Sequence, residues 1–142
     1  MSFSINFIEL SDLPNIAQQI IKFAGDTHIW LFEGPMAAGK TTLIKEICKQ
    51  LGVAGSVASP TYSLVNEYIT NDFKTLYHFD FYRLKSETEA LDYGIEEYFD
   101  SGNICLCEWP SKIANLWPNQ YLMLNLSVLN DGSRQLHLEI NN

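Results

Sequence analysis

The residues Gly34-Pro35-Met36-Ala37-Ala38-Gly39-Lys40-Thr41 follow the spacing G-x-x-x-x-G-K-[ST], which suits a loop wrapped around nucleotide phosphates. In such a loop several backbone N–H groups point inward, and the helix that starts at its end adds unpaired donors and the positive end of its dipole. The Lys40 ammonium then spans the β- and γ-phosphates, and the Thr41 hydroxyl takes one position on Mg2+. Local context agrees with this reading. The segment follows His28-Ile29-Trp30-Leu31-Phe32, apolar at nearly every position as in a strand covered on both faces, and precedes an amphipathic stretch with Leu43, Ile44, Ile47 and Leu51 facing inward and Gly52 closing it. The competing reading is a glycine-bounded strand-to-helix turn that binds nothing.

A magnesium ion at such a loop needs a carboxylate at the end of a neighbouring strand. Glu108 follows Ile104-Cys105-Leu106-Cys107, and Asp80 ends Leu76-Tyr77-His78-Phe79-Asp80. Residue types leave both open, and either could be a solvated acid at a strand end. His78 could orient a water, with a hydrogen-bonded strand histidine as the alternative. Trp109 could stack on a base or a partner, or pack in the core or a lid. Ser59-Pro60-Thr61 reads as a loop whose hydroxyls sense a γ-phosphate, or as ordinary turn chemistry. His28 and His137 carry no signal.

The elements that must position these groups are legible in outline. An alternating strand lies near Phe3–Leu10. A helix follows, N-capped by Ser11, with Pro14 in its first turn, Ile16, Ala17, Ile20, Ile21 and Phe23 on its buried side, and Gly25-Asp26 at its end. Tyr62–Thr70 and Lys74–Tyr82, joined by Asn71-Asp72, read as an antiparallel hairpin. Ser86-Glu87-Thr88-Glu89 reads as a capping box opening a helix that runs towards Phe99. After the turn at Ser101-Gly102-Asn103, Ile104–Cys107 is a second strand buried on both faces. Tyr121–Leu129 and Arg134–Ile140 flank Asn130-Asp131-Gly132 as a closing hairpin. Strands alternating with helices at the front and hairpins elsewhere imply an α/β sheet, parallel in the centre and antiparallel at its margins.

At 142 residues and 16.2 kDa the chain is expected to form one domain over residues 1–142, and no repeat or linker divides it. A hydrophobic content of 46% is that of a globular chain. The net charge of −8 excludes a nucleic-acid binder working by overall positive charge. No apolar run approaches the roughly 18 residues of a membrane span, and no basic leader precedes the first strand, so a cytoplasmic protein without a membrane partner is expected. Cys48, Cys105 and Cys107 fit neither a disulfide framework nor a metal knuckle and read as buried thiols of a reducing compartment; in a strand, Cys105 and Cys107 share one face.

Three chemistries use this kind of loop. A GTP switch reads guanine with an [NT]-K-x-D segment, which none of the seven lysines provides. A small-molecule kinase closes arginines over the transferred phosphoryl group. The chain has only Arg83 and Arg134, and the second, in the terminal hairpin, is expected away from the site. A slow ATPase governed by a partner accommodates this scarcity best, with a small-molecule or nucleotide kinase as the alternative and a non-hydrolysing nucleotide sensor as a third class.

From about Leu31 to Pro110 the chain resembles the TsaE (YjeE) family. The resemblance rests on Gly39-Lys40-Thr41-Thr42, Ser59-Pro60-Thr61-Tyr62-Ser63-Leu64-Val65, His78-Phe79-Asp80-Phe81-Tyr82-Arg83-Leu84 and Glu108-Trp109-Pro110, in that order. It implies a P-loop NTPase-like three-layer sandwich and an ATPase that binds ATP and Mg2+ and supports formation of threonylcarbamoyladenosine at tRNA adenosine 37. On that resemblance Gly34 to Thr42 and Trp109 surround the nucleotide, Lys40 and Thr41 hold phosphates and metal, and Glu108 completes the metal site. Asp80 is needed for hydrolysis, and Ser59–Thr61 behaves as a switch loop. The implied partners are TsaD and TsaB, with TsaD transferring the threonylcarbamoyl group that TsaC makes upstream as an adenylate. The tRNA is reached through that complex, which the ATP cycle resets. The family's loop usually reads G-D-L-G-A-G-K-T-T. Here Ala37 replaces a glycine, and Pro35 removes one N–H donor and fixes φ, from which slow intrinsic hydrolysis is expected.

Overall fold

In a computed structural model, which describes residues 1–35, 38–55 and 64–142, the chain folds around two strands that the sequence makes apolar at every position but the last, β2 (Ile29–Glu33) and β5 (Ile104–Glu108). They pair in parallel, Ile29 opposite Cys105 and Phe32 opposite Glu108. Together with β1 (Ser2–Phe7), β3 (Val65–Ile69), β4 (Thr75–Asp80), β6 (Tyr121–Val128) and β7 (Arg134–Asn141) they form a sheet in the order β1-β7-β6-β2-β5-β4-β3. The four consecutive strands β6, β2, β5 and β4 run parallel, whereas β1–β7, β7–β6 and β4–β3 are antiparallel.

Side-chain alternation along β2 explains why both faces are covered. Trp30 and Phe32 join Leu106, Leu122, Leu124, Leu136 and Leu138 on one face. Against them pack Ile16, Ala17 and Ile20 of α1 (Leu13–Ala24) and Leu43, Ile44 and Ile47 of α2 (Lys40–Gln50). Ile29 and Leu31 join Phe79, Cys105 and Cys107 on the other face, under Ala90 of α3 (Glu87–Asp92), Ile95 and Phe99 of α4 (Ile95–Phe99) and Ile113. The result is the expected three-layer arrangement, parallel at its centre, and Cys105 and Cys107 do share a face.

Several local expectations are corrected. The first strand stops at Phe7, and a 3-10 turn at Leu10–Asp12 carries the chain into α1, so Asp12 rather than Ser11 is the N-cap, without a side-chain cap bond. Ile21 and Phe23 are only partly buried. The helix expected from Ser86 to Phe99 is two short ones, because Gly94 at φ 82° breaks the helical path. Ser86 is the N-cap but makes no side-chain bond. The Glu87 carboxylate instead accepts the backbone and side-chain N–H groups of Asn115 at 2.9 and 3.0 Å. The β3–β4 hairpin forms over Val65–Ile69 and Thr75–Asp80, shorter than expected, with Leu64, Phe81 and Tyr82 outside its strands; Ser59-Pro60-Thr61 and Tyr62-Ser63, where its first strand was expected to start, lie outside the described residues. Among the described residues no helix is long and apolar enough to cross a membrane.

Candidate nucleotide-phosphate site

Because β2, β4 and β5 are parallel and in register, their C-terminal residues Glu33, Asp80 and Glu108 end at one edge of the sheet, Asp80 directly opposite Glu108. Ligands of open α/β sheets bind in the crevice outside such strand ends. Here a cavity of about 500 Å³ opens there, lined by Lys40, Thr41, Asp80, Glu108, Trp109 and Arg134 among others, with Phe7 and Leu13 at its apolar wall.

The loop leaving β2 is held tightly. Gly34 (φ 156°) lies against β6, where a Cβ would meet the Leu126 carbonyl oxygen at 2.5 Å, so only glycine fits. Pro35 is exposed, and its carbonyl accepts the Ala38 N–H at 3.2 Å. Met36 and Ala37 lie outside the described residues. Ala38 is buried, and Gly39 is the N-cap of α2 in the left-handed region at φ 100°. Thr41 and Thr42, in the first turn of α2, both face the cavity.

Lys40 is buried and its ammonium donates to the Gly34 carbonyl at 2.6 Å while lying 3.6 Å over the Trp109 ring. Burial pulls its pKa below the ordinary lysine value, against the opposing pull of Glu108, Glu33 and Asp80. The indole reaches that position because Trp109 is left-handed (φ 58°), which turns the chain sharply at the end of β5. The Ser111 N–H then donates to Glu33 Oε1 at 2.8 Å, tying that turn to β2, and the Tyr82 ring packs 5.0 Å from the indole.

The Thr41 hydroxyl donates to Glu108 Oε1 at 2.9 Å, and His78 Nε2–H donates to Glu108 Oε2 at 2.8 Å. His78 is fully buried in β4, with its Nδ1 facing the Tyr68 hydroxyl at 3.4 Å. It is thus the hydrogen-bonded strand histidine, and its partner is the candidate metal carboxylate. Burial would raise the Glu108 pKa, but the His78 and Thr41 hydrogen bonds and the Lys40 charge outweigh it and hold the carboxyl below the usual range. Asp80 is pushed the other way, chiefly by burial and further by the Glu108 charge, although the Tyr82 N–H donates to its Oδ1 at 3.0 Å.

The structure therefore brings Lys40, Thr41, Asp80, Glu108 and Trp109 to one cavity. It overturns one expectation: Arg134, not Arg83, is the arginine at the site. Arg83 is exposed and not part of the cavity wall, whereas Arg134 Nε–H donates to the Ala38 carbonyl at 2.9 Å. The antiparallel return of β7 beside β6 carries Arg134 to the loop, a long-range pairing that residue spacing does not encode. Phe7 and Leu13 were missed for the same reason.

A parallel core with a glycine-bounded loop running from β2 into α2, and acids at adjacent strand ends, defines the P-loop NTPase-like class. The family model described as "Threonylcarbamoyl adenosine biosynthesis protein TsaE" matches residues 8–136, and the chain belongs to the TsaE family. It is 37% identical over 117 residues to the tRNA threonylcarbamoyladenosine biosynthesis protein TsaE of Haemophilus influenzae, covering 82% of this chain and 73% of that one. Against the protein of the same description from Rickettsia bellii it is 39% identical over 124 residues, covering 87% and 85%. The crystal structure of YdiB from Bacillus subtilis superposes with a TM-score of 0.76 at 26% identity, over 99% of this chain and 86% of that one.

Proposed function

We propose that this protein binds ATP with Mg2+ through the Gly34–Thr42 loop, hydrolyses it slowly, and serves threonylcarbamoylation of tRNA adenosine 37 as the ATPase partner of TsaD and TsaB. The observation that carries the nucleotide reading is the Thr41 hydroxyl held on the Glu108 carboxylate, one residue along from the buried Lys40 ammonium. These residues suit a magnesium triphosphate. Hydroxyl and carboxylate oxygens are the hard ligands Mg2+ takes. The pathway assignment draws on family membership and on relatives described as tRNA threonylcarbamoyladenosine biosynthesis proteins.

On this reading Thr41 and Glu108 hold the metal, and His78 keeps the carboxylate turned towards Thr41. Lys40 exchanges the Gly34 carbonyl for phosphate oxygens. The metal, when bound, neutralises charge developing on the phosphoryl oxygens. Asp80, beside Glu108 in register, is the group that orients or deprotonates the attacking water, and its raised pKa brings it closer to that task. Trp109 closes the site over Lys40. With one arginine at the cavity the chain lacks the cluster with which a kinase lid stabilises phosphoryl transfer, so hydrolysis is slow and awaits a partner.

The deciding experiment is ATP turnover of the isolated chain and of the chain with TsaB and TsaD. Slow hydrolysis that rises several-fold with the partners supports the reading; rapid turnover alone, or phosphoryl transfer to an added metabolite, overturns it. Lys40→Ala should weaken ATP binding at least about a hundredfold, as expected for loss of a charge-assisted contact worth about 3 kcal/mol, with the circular-dichroism melt retained. Unchanged affinity would remove Lys40 from the site.

A further inference from the structure

Arg134 opens β7, and its bond to the loop spans 96 residues of sequence. It touches the backbone of the loop where the loop becomes a helix. A trans peptide is planar, with its C=O and N–H pointing in opposite directions. Anchoring the Ala38 carbonyl on the Arg134 guanidinium therefore fixes the direction of the Gly39 N–H as well. The anchor matters at this peptide because Gly39, at φ 100°, occupies a region that glycine enters and leaves at little cost. The Ala38 N–H is already donated to Pro35, and the Gly39 N–H has no partner among the described residues.

We propose that Arg134 is a positioning residue for phosphate binding: its Nε–H holds the Ala38–Gly39 peptide in one orientation, so that the Gly39 N–H is presented to the phosphates. This rests on the phosphate-binding reading above. It assigns to the C-terminal hairpin a part in the site, with Leu126 of β6 backing Gly34 and Arg134 of β7 bracing Gly39.

Three substitutions separate the brace from the charge. In glutamine the Nε2 stands as many bonds from the backbone as Nε does in arginine, so Arg134→Gln keeps the donor without the charge. Arg134→Lys keeps the charge and moves the donor one bond outward. Arg134→Met removes both and retains the packing volume. Affinity for Mg–ATP and for ADP is measured by calorimetry, and the Gly39 amide is followed by ¹H–¹⁵N NMR without nucleotide. Arg134→Met is expected to bind about tenfold more weakly, the loss of one charge-assisted hydrogen bond, with the Gly39 resonance moved and Arg134→Lys behaving similarly. Arg134→Gln is expected to stay within about twofold of wild type with Gly39 in place.

Wild-type affinity with an unmoved Gly39 amide in Arg134→Met overturns the proposal. So does an Arg134→Lys that binds normally while Arg134→Gln loses affinity with an unchanged melt, since the charge would then be the active element. Should the methionine chain misfold, the lysine and glutamine chains decide together: weakened binding with a moved Gly39 amide in Arg134→Lys beside a wild-type-like Arg134→Gln supports the brace, and wild-type binding with an unmoved Gly39 amide in both overturns it. A wild-type chain that binds no nucleotide defeats the phosphate reading instead, and the Gly39 amide in Arg134→Met still reports on the brace.

Discussion

Asp80 and Glu108 stand opposite each other in register, yet their surroundings drive them apart. Burial raises the Asp80 carboxyl, while the His78 and Thr41 hydrogen bonds outweigh burial at Glu108 and lower it. An acid whose pKa is raised by folding binds its proton more tightly in the native chain, so its contribution to stability falls as pH rises from the unfolded value through the native one. At neutral pH an ionised Asp80 therefore works against the fold. Asp80→Asn should raise the melting temperature at pH 7 and, on the function proposed above, leave nucleotide bound while hydrolysis is lost; the gain in stability should shrink as pH falls through the raised native pKa and vanish below the ordinary aspartate value of about 3.9. At Glu108 the sign reverses: His78→Leu removes a buried donor to the carboxylate and should cost about 1–3 kcal/mol in urea unfolding. Lys40, Thr41 and Glu108 were legible in the sequence because a loop motif and a strand end are local features. The hydrogen bond from Thr41 to Glu108, which distinguishes the two acids, was not, since it depends on which strand lies beside the start of α2. Nor was the indole above Lys40, which requires a left-handed tryptophan that no residue pattern announces.

Among the elements, the central strands were the most legible, since strands covered on both faces must be apolar at consecutive positions, as Ile29–Phe32 and Ile104–Cys107 are. The segment from Ser86 to Phe99 misled because its apolar spacing continues across Gly94, and only the backbone shows the break there. Placement of β7 inside the sheet, between β1 and β6, was beyond reach of local pattern, and Arg134 was misplaced with it. Close packing of elements yields two further expectations. Gly34→Ala drives a methyl group into the Leu126 carbonyl, so the loop must lift from β6; a loss of about 2–4 kcal/mol in urea unfolding is expected. The thiols of Cys48 and Cys105 are pushed up to about 12 by burial, and that of Cys107 well above its ordinary value. At pH 8 their thiolate fraction is on the order of one in ten thousand. The folded chain should therefore resist iodoacetamide, and all three cysteines should label in denaturant.

For the molecule as a whole, the charge of −8 is unevenly spread: residues 87–100 hold Glu87, Glu89, Asp92, Glu96, Glu97 and Asp100 and no basic residue. On the function proposed above, such a surface suits a basic protein partner, and binding to TsaD–TsaB should weaken several-fold as salt rises from about 0.05 to 0.5 M. Pull-downs indifferent to salt would count against an electrostatic contact. The strand order has a different consequence, for synthesis. Strand β2 receives one of its two neighbours only when Tyr121–Val128 has been made, and β1 waits for Arg134–Asn141. A nascent chain halted at Pro118 would carry every motif residue from Gly34 to Trp109 yet lack the backing of Gly34 and the tether on Ala38. If the proposed function holds, nucleotide in the cell could not rescue such an intermediate, because the candidate site is finished last, by the strands that leave the ribosome last.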